Sequence, residues 1–104
     1  MSVEKSSTAD LTLLKVSGDL AGTNAEDLRS VASECLAQGQ HDYIIDLADA
    51  PNCDSAGLET LTWLERECAD RLGIVKLCGL SESFTKILEI TRLSERFADP
   101  DEDL

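Results

Sequence analysis

Residues 43–58 read Tyr-Ile-Ile-Asp-Leu-Ala-Asp-Ala-Pro-Asn-Cys-Asp-Ser-Ala-Gly-Leu. The near-continuous apolar run at Tyr43, Ile44 and Ile45 predicts a strand over His41 to Leu47. Such a run suits a strand at the centre of a sheet or one covered on both faces. Ala48 to Asp54 reads as a loop holding Pro51 and Asn52. From Leu58 onward the period changes to that of a helix. Leu58, Leu61, Leu64, Cys68 and Leu72 share one arc at about 100° per residue, with Glu65 among them. Trp63 falls on the opposite side with Glu59, Arg66, Glu67 and Asp70. A helix is therefore expected from about Ser55 to Leu72, ending at Gly73. The stretch sets a serine at the mouth of a helix. Ser55 is then a helix cap, a nucleophile, or a site that other proteins modify.

Working outward, Leu11 to Gly18 alternates partly and predicts a strand. Asp19 to Gly22 is a connection. Thr23-Asn24-Ala25-Glu26 has the form of a capping box, with Thr23 accepting from an amide three residues on and Glu26 reaching back. The helix that follows carries Leu28, Val31, Ala32, Cys35 and Leu36, and Gly39 is its stop. Ile74 to Cys78 predicts another strand, ended by Gly79. Ser81 opens a third helix carrying Phe84, Ile87, Leu88 and Ile90. Leu93 to Phe97 reads as a short strand or a helical turn. Residues 1–9 and the acidic stretch 99–104 read as loose tails. Strand and helix thus alternate three times, which predicts one α/β domain with at least partly parallel strands.

The chain has 104 residues and a formal charge of −12. That length buries a core without metal or disulfide staples. The charge excludes a nucleic-acid binder, since phosphate contacts need Lys and Arg, and it disfavours adsorption to anionic lipid. Met1 to Asp10 has no apolar run of the signal-peptide kind, and no stretch approaches the ~18–20 apolar residues of a membrane span. A cytoplasmic protein with no direct membrane insertion is expected. The four cysteines, Cys35, Cys53, Cys68 and Cys78, lack CxxC spacing and read as reduced, partly buried thiols.

Nucleophilic chemistry at Ser55 finds little support. A hydrolase elbow needs Gly-x-Ser-x-Gly, and Cys53 stands where the first glycine belongs. The one histidine, His41, lies upstream of the serine and reads as a surface or strand-end residue. No lysine lies close enough in sequence to replace it as base. Asp46, Asp49 and Asp54 gather at a strand end, where carboxylates can hold magnesium. However, the connection after the first strand offers only Asp19, not the acidic pair that a receiver domain would need. These acids read as a solvated loop. No catalytic residue, metal or cofactor is expected.

The full pattern resembles the STAS domain, the family of bacterial anti-sigma factor antagonists and related modules. Ile45-Asp46-Leu47, then Asp54-Ser55-Ala56-Gly57-Leu58, match its signature of an apolar strand ending in Asp-Leu and a Ser-containing helix start. Ser17-Gly18-Asp19-Leu20 with Ala25 and Leu28, and Val75 to Gly79 with Leu88 and Leu93, extend the likeness over about residues 11–98. The resemblance implies an α/β fold with a mixed, largely parallel sheet of about four strands and three to four helices. It implies phosphorylation at Ser55 by an anti-sigma factor that is itself a serine kinase, and dephosphorylation by a PP2C-type phosphatase. The unmodified antagonist would bind the anti-sigma factor, and transcription would be regulated by this partner switching. The expected partner surface comprises Thr23, Asn52, Asp54, Ser55, Ala56, Gly57, Glu59 and Trp63.

Two positions depart from that pattern. Leu20 is followed by Ala21, where many phosphorylated members have Asp, so the acidic contact is missing or shifted to Asp19. Ala56 replaces the commoner Ser or Thr. Asp-(Ser/Thr)-Ala-Gly-Leu also occurs in STAS subunits of bacterial lipid-transport ABC systems, which bind transporter partners without needing a phospho-switch. That is the alternative reading.

Overall fold

The computed structural model describes residues 3–8, 11–93 and 97. In chain order the elements are β1 (Val3–Ser7), β2 (Thr12–Ser17), α1 (Thr23–Ala37), β3 (Tyr43–Asp49), α2 (Ser55–Asp70), β4 (Val75–Cys78) and α3 (Glu82–Ile90). The four strands form one sheet in the order β1-β2-β3-β4. β1 runs antiparallel to β2, while β2–β3 and β3–β4 are parallel. This is the expected α/β fold, with a mostly parallel sheet and three helices.

The register explains the core. Thr12 pairs with Tyr43 and Leu14 with Ile45; Tyr43 also pairs with Val75 and Ile45 with Leu77. Side chains alternate along a strand, so these residues share one face, and all of them are buried. Leu28, Ala32 and Cys35 from α1 and Leu61, Leu64 and Cys68 from α2 join the same cluster, as do Phe84 and Leu88 from α3. Full burial of a side chain of this size contributes about 1.5–3 kcal/mol. β3 is an interior strand, which accounts for its apolar run, although Ile44 on the other face stays half-buried.

Several local expectations change. Residues 1–9 are not simply a tail: Val3–Ser7 forms β1, tied by its pairing to β2 and by the buried Val3. Its other side chains are polar and exposed on both faces, so no apolar alternation marked it as a strand. The capping box at Thr23 does not form. Thr23 is already inside α1, and the cap position is Gly22, which makes no side-chain cap. Its φ of 52° and ψ of −123° suit a glycine. Gly39 ends α1 as expected: it has φ 88°, donates to the Leu36 carbonyl at 3.0 Å, and the Gln40 amide reaches Cys35 at 3.1 Å.

The end of α2 differs most. The helix stops at Asp70, and Leu72, not Gly73, takes the left-handed conformation with φ 61°. Leu72 is therefore off the helical wheel and 94% exposed rather than in the core. Gly73 is needed for closeness instead: a Cβ there would lie 1.9 Å from the His41 carbonyl oxygen. The third helix begins as read, with the Ser81 hydroxyl accepting from the Phe84 amide at 3.0 Å. Leu93 closes a capping turn by donating to the Leu88 carbonyl at 2.9 Å. The rest of the expected last strand or turn, at 94–96, and the acidic stretch 99–104 lie outside the described residues.

Candidate functional site

β2 and β3 are parallel, so both end at the same edge of the sheet, and each passes its chain to a helix there. Their pairing continues beyond the strands. The Gly18 amide donates to the Asp49 carbonyl at 2.8 Å, and Leu20 to Asn52 at 2.9 Å. The Asp54 amide donates back to Leu20 at 3.3 Å. The β2–α1 connection and the β3–α2 loop therefore lie side by side, pinned by the fully buried Leu20. This brings the starts of α1 and α2 together. Gly57 makes the approach possible, because a Cβ there would lie 2.1 Å from the Leu20 carbonyl oxygen.

Asp54 is the cap of α2. One carboxylate oxygen accepts from the Gly57 amide at 2.9 Å, and the other faces the Gly22 amide at 3.4 Å. A single acid thus bridges two helix starts. It also displaces Ser55 from the capping role considered for it. Ser55 is the first helical residue and is exposed, so its hydroxyl is not used to hold the helix. The first turn of a helix carries free amides and positive partial charge, which suits an added phosphate. The adjacent Asp54 carboxylate opposes it.

The remaining residues of the expected surface divide into two places. Asn52 and Thr23 are exposed at the same edge as Asp54 and Ser55. Ala56 is exposed on the first turn, and Gly57 is buried beneath it. Glu59 and Trp63 lie farther along α2, on its outward face. Trp63 is half-buried, and the Arg29 guanidinium of α1 stacks over its ring at 4.6 Å. Together with Leu58 and Leu93 it lines an open groove of about 570 Å³ that runs from Ser55 to Asp70.

The surroundings are acidic. The Cys53 thiol is pushed up to about 11 by burial first, then by Asp54 and Asp19. Asp19 lies between Gly18 and Leu20, which are bonded to the end of β3 and to the loop that follows it, so an acid stands by the site despite Ala21. Burial also raises Cys35, Cys78 and, to about 12, Cys68. All four cysteines are unpaired, with Cys35 and Cys68 buried and the other two half-buried. His41 is exposed beside Asp42, at 3.2 Å. Among the described residues no group of three or more His, Cys, Asp or Glu is arranged to hold a metal ion. None of the described helices is long and apolar enough to cross a membrane.

A family model for the STAS domain matches residues 2–103. The chain belongs to the STAS domain family. Its fold is that of solved STAS-type structures. A Thermotoga maritima protein provisionally assigned as an anti-sigma factor antagonist superposes with TM-score 0.85 at 21% identity, covering 91% of this chain and 82% of the other. The phosphorylated form of the Bacillus cell fate determinant SpoIIAA gives 0.76 at 20% identity, covering 96% and 92%. A sulfate transporter family protein from Wolinella succinogenes gives 0.76 at 19%, covering 90% and 76%.

In this STAS domain the sequence pointed to the α2 start but missed three contributors. Gly22 meets Asp54 across 32 residues of chain. Arg29 reaches Trp63 from another helix, and Leu93 arrives from beyond α3. Each is a contact between elements distant in sequence. Periodicity within one element carries no signal for such contacts.

Proposed function

We propose that this STAS domain is an anti-sigma factor antagonist controlled by phosphorylation of Ser55. The unmodified form binds an anti-sigma factor that is also a serine kinase, through the surface around Asn52, Asp54, Ser55, Ala56 and Thr23. Phosphorylation adds about −1.5 to −2 charges beside Asp54 and near Asp19. Like-charge repulsion then releases the partner without refolding the domain. A PP2C-type phosphatase restores the binding form. The observation that carries this reading is the exposed Ser55 hydroxyl in the first turn of α2, with the capping done by its neighbour Asp54. A residue spared from capping can be modified without loss of the helix.

The test begins with the intact mass of protein isolated from its native host, with and without phosphatase treatment, and fragmentation to map the site. One phosphatase-sensitive phosphate on Ser55 is expected. Ser55→Ala and Ser55→Asp are then expected to hold opposite binding states toward the anti-sigma factor. Unmodified protein that co-purifies with membrane transporter subunits would overturn the switch. It would favour the second reading, a STAS subunit of a lipid-transport ABC system, which rests on Ala56. In that case the same α2 start is a docking surface with no phosphate.

A further inference from the structure

β4 runs parallel to β3, so the connection from β4 to α3 leaves the same edge of the sheet as the loop that leads to Ser55. Gly79 lets this connection lie against the end of β3, since a Cβ there would stand 2.7 Å from the Ala48 amide nitrogen. Ser81 follows, and it meets the β3–α2 loop across 30 residues of chain. Its hydroxyl donates to the Pro51 carbonyl at 2.6 Å and accepts from the Phe84 amide at 3.0 Å. One side chain thus caps α3 and grips the loop before Ser55.

We propose that Ser81 is a positioning residue for the Ser55 site, holding the β3–α2 loop from the α3 side. Proline has no N–H, so its carbonyl is the one backbone group by which Pro51 can be tied. Leu20 holds the following residues from the opposite side. Its amide donates to the Asn52 carbonyl at 2.9 Å, and its carbonyl accepts from the Asp54 amide at 3.3 Å. The loop is therefore braced on both flanks, immediately before the helix start that presents Ser55. Without the Ser81 hydroxyl, Pro51 and Asn52, both exposed, are free to move away from Leu20. Capping alone does not require the bond to Pro51, because an acceptor suffices for the Phe84 amide. The consequence for phosphate transfer rests on the reading of Ser55 as the modified residue; the brace itself does not.

Three variants separate the two bonds. Ser81→Thr keeps donor and acceptor and suits the extended backbone at this position, with φ −72° and ψ 165°. Ser81→Asp keeps the cap but has no proton to donate at neutral pH. Ser81→Ala loses both. Amide hydrogen exchange of the full chain is read at Leu20 and Phe84. Leu20 should exchange about fivefold faster in Ser81→Asp and Ser81→Ala, and at the parental rate in Ser81→Thr. Phe84 should quicken in Ser81→Ala alone. The initial rate of phosphate transfer to Ser55 is then followed by intact mass, in extract of the native host supplied with ATP. Ser81→Asp and Ser81→Ala should both be slowed severalfold, and the neutral alanine variant shows that added charge is not the cause. Parental exchange at Leu20 in Ser81→Asp, failure of Ser81→Thr to restore it, or equal transfer rates in parent and variants would overturn the proposal. If the parent accepts no phosphate, the phosphorylation reading of Ser55 fails, and exchange at Leu20 alone decides whether Ser81 holds the loop.

Discussion

The α-carbon of Gly57 lies against the carbonyl of Leu20, so close that a methyl group would sit 2.1 Å from the oxygen. Gly57 is thus the point at which the first turn of α2 rests on the β2–α1 connection. Gly57→Ala should destabilise the domain by about 1–3 kcal/mol, although alanine is the better helix former. Chemical denaturation of the two proteins measures this. An equal or higher midpoint for the alanine variant would show that the connection yields.

Asp54 caps α2 through Gly57 and faces Gly22 with its second oxygen. Asp54→Ala should therefore cost about 1 kcal/mol of stability. Asp54→Asn should keep most of the cap, since an amide oxygen also accepts from Gly57. Its amide nitrogen, a donor, then faces the Gly22 N–H and cannot accept from it, so hydrogen exchange at Gly22 should quicken selectively. Uniform exchange across parent and both variants would argue that Asp54 does not join the two helix starts.

Leu72 holds φ 61° with 94% of its surface exposed, so it bears backbone strain and gains no packing. Leu72→Gly should stabilise the domain by about 0.5–1 kcal/mol, visible as a rise in Tm. The neighbouring Gly73→Ala should do the reverse, because its Cβ would lie 1.9 Å from the His41 oxygen. A fall in Tm for both would mean that Leu72 makes contacts that outweigh its strain.

The thiols give a pH dependence. Cys53 and Cys68 are raised to about 11 and about 12 from 9.0. A raised folded value means that the native state keeps its proton where the unfolded chain has lost it. Their contribution is fully present below pH ~9 and is lost as pH rises through the folded values. Stability should therefore fall from about pH 9 upward. At pH 8 alkylation of Cys68 should be slow and limited by opening, with Cys53 faster because it is only half-buried. Rapid labelling of all four thiols in the folded protein would contradict this.

Some of this was legible in residues 11–93. The apolar run at Tyr43–Ile45, the period from Leu58 and the spacing of Phe84 and Leu88 place elements that the structure contains, to within a few residues. What misled was local chemistry with two solutions. Thr23 through Glu26 has the letters of a capping box, yet Gly22 caps α1 by its backbone conformation. Ser55 is a good cap by type, yet Asp54 takes the position one residue earlier. Either choice satisfies the helix, and the contact between the two helix starts decides between them.

The sequence by itself determined the alternation of strand and helix, the apolar faces and the motif at Asp54-Ser55-Ala56-Gly57, because these depend on periodicity and residue type over short spans. The tertiary structure alone decided that Val3–Ser7 is a strand, since a polar stretch becomes one by pairing with β2. It also decided that Ser55 stands free beside a bridging Asp54, that Arg29 stacks on Trp63, and that Trp63 and Leu93 line one groove. These depend on which elements the parallel sheet sets side by side, and side chains far apart in the chain acquire their roles only once that packing is complete.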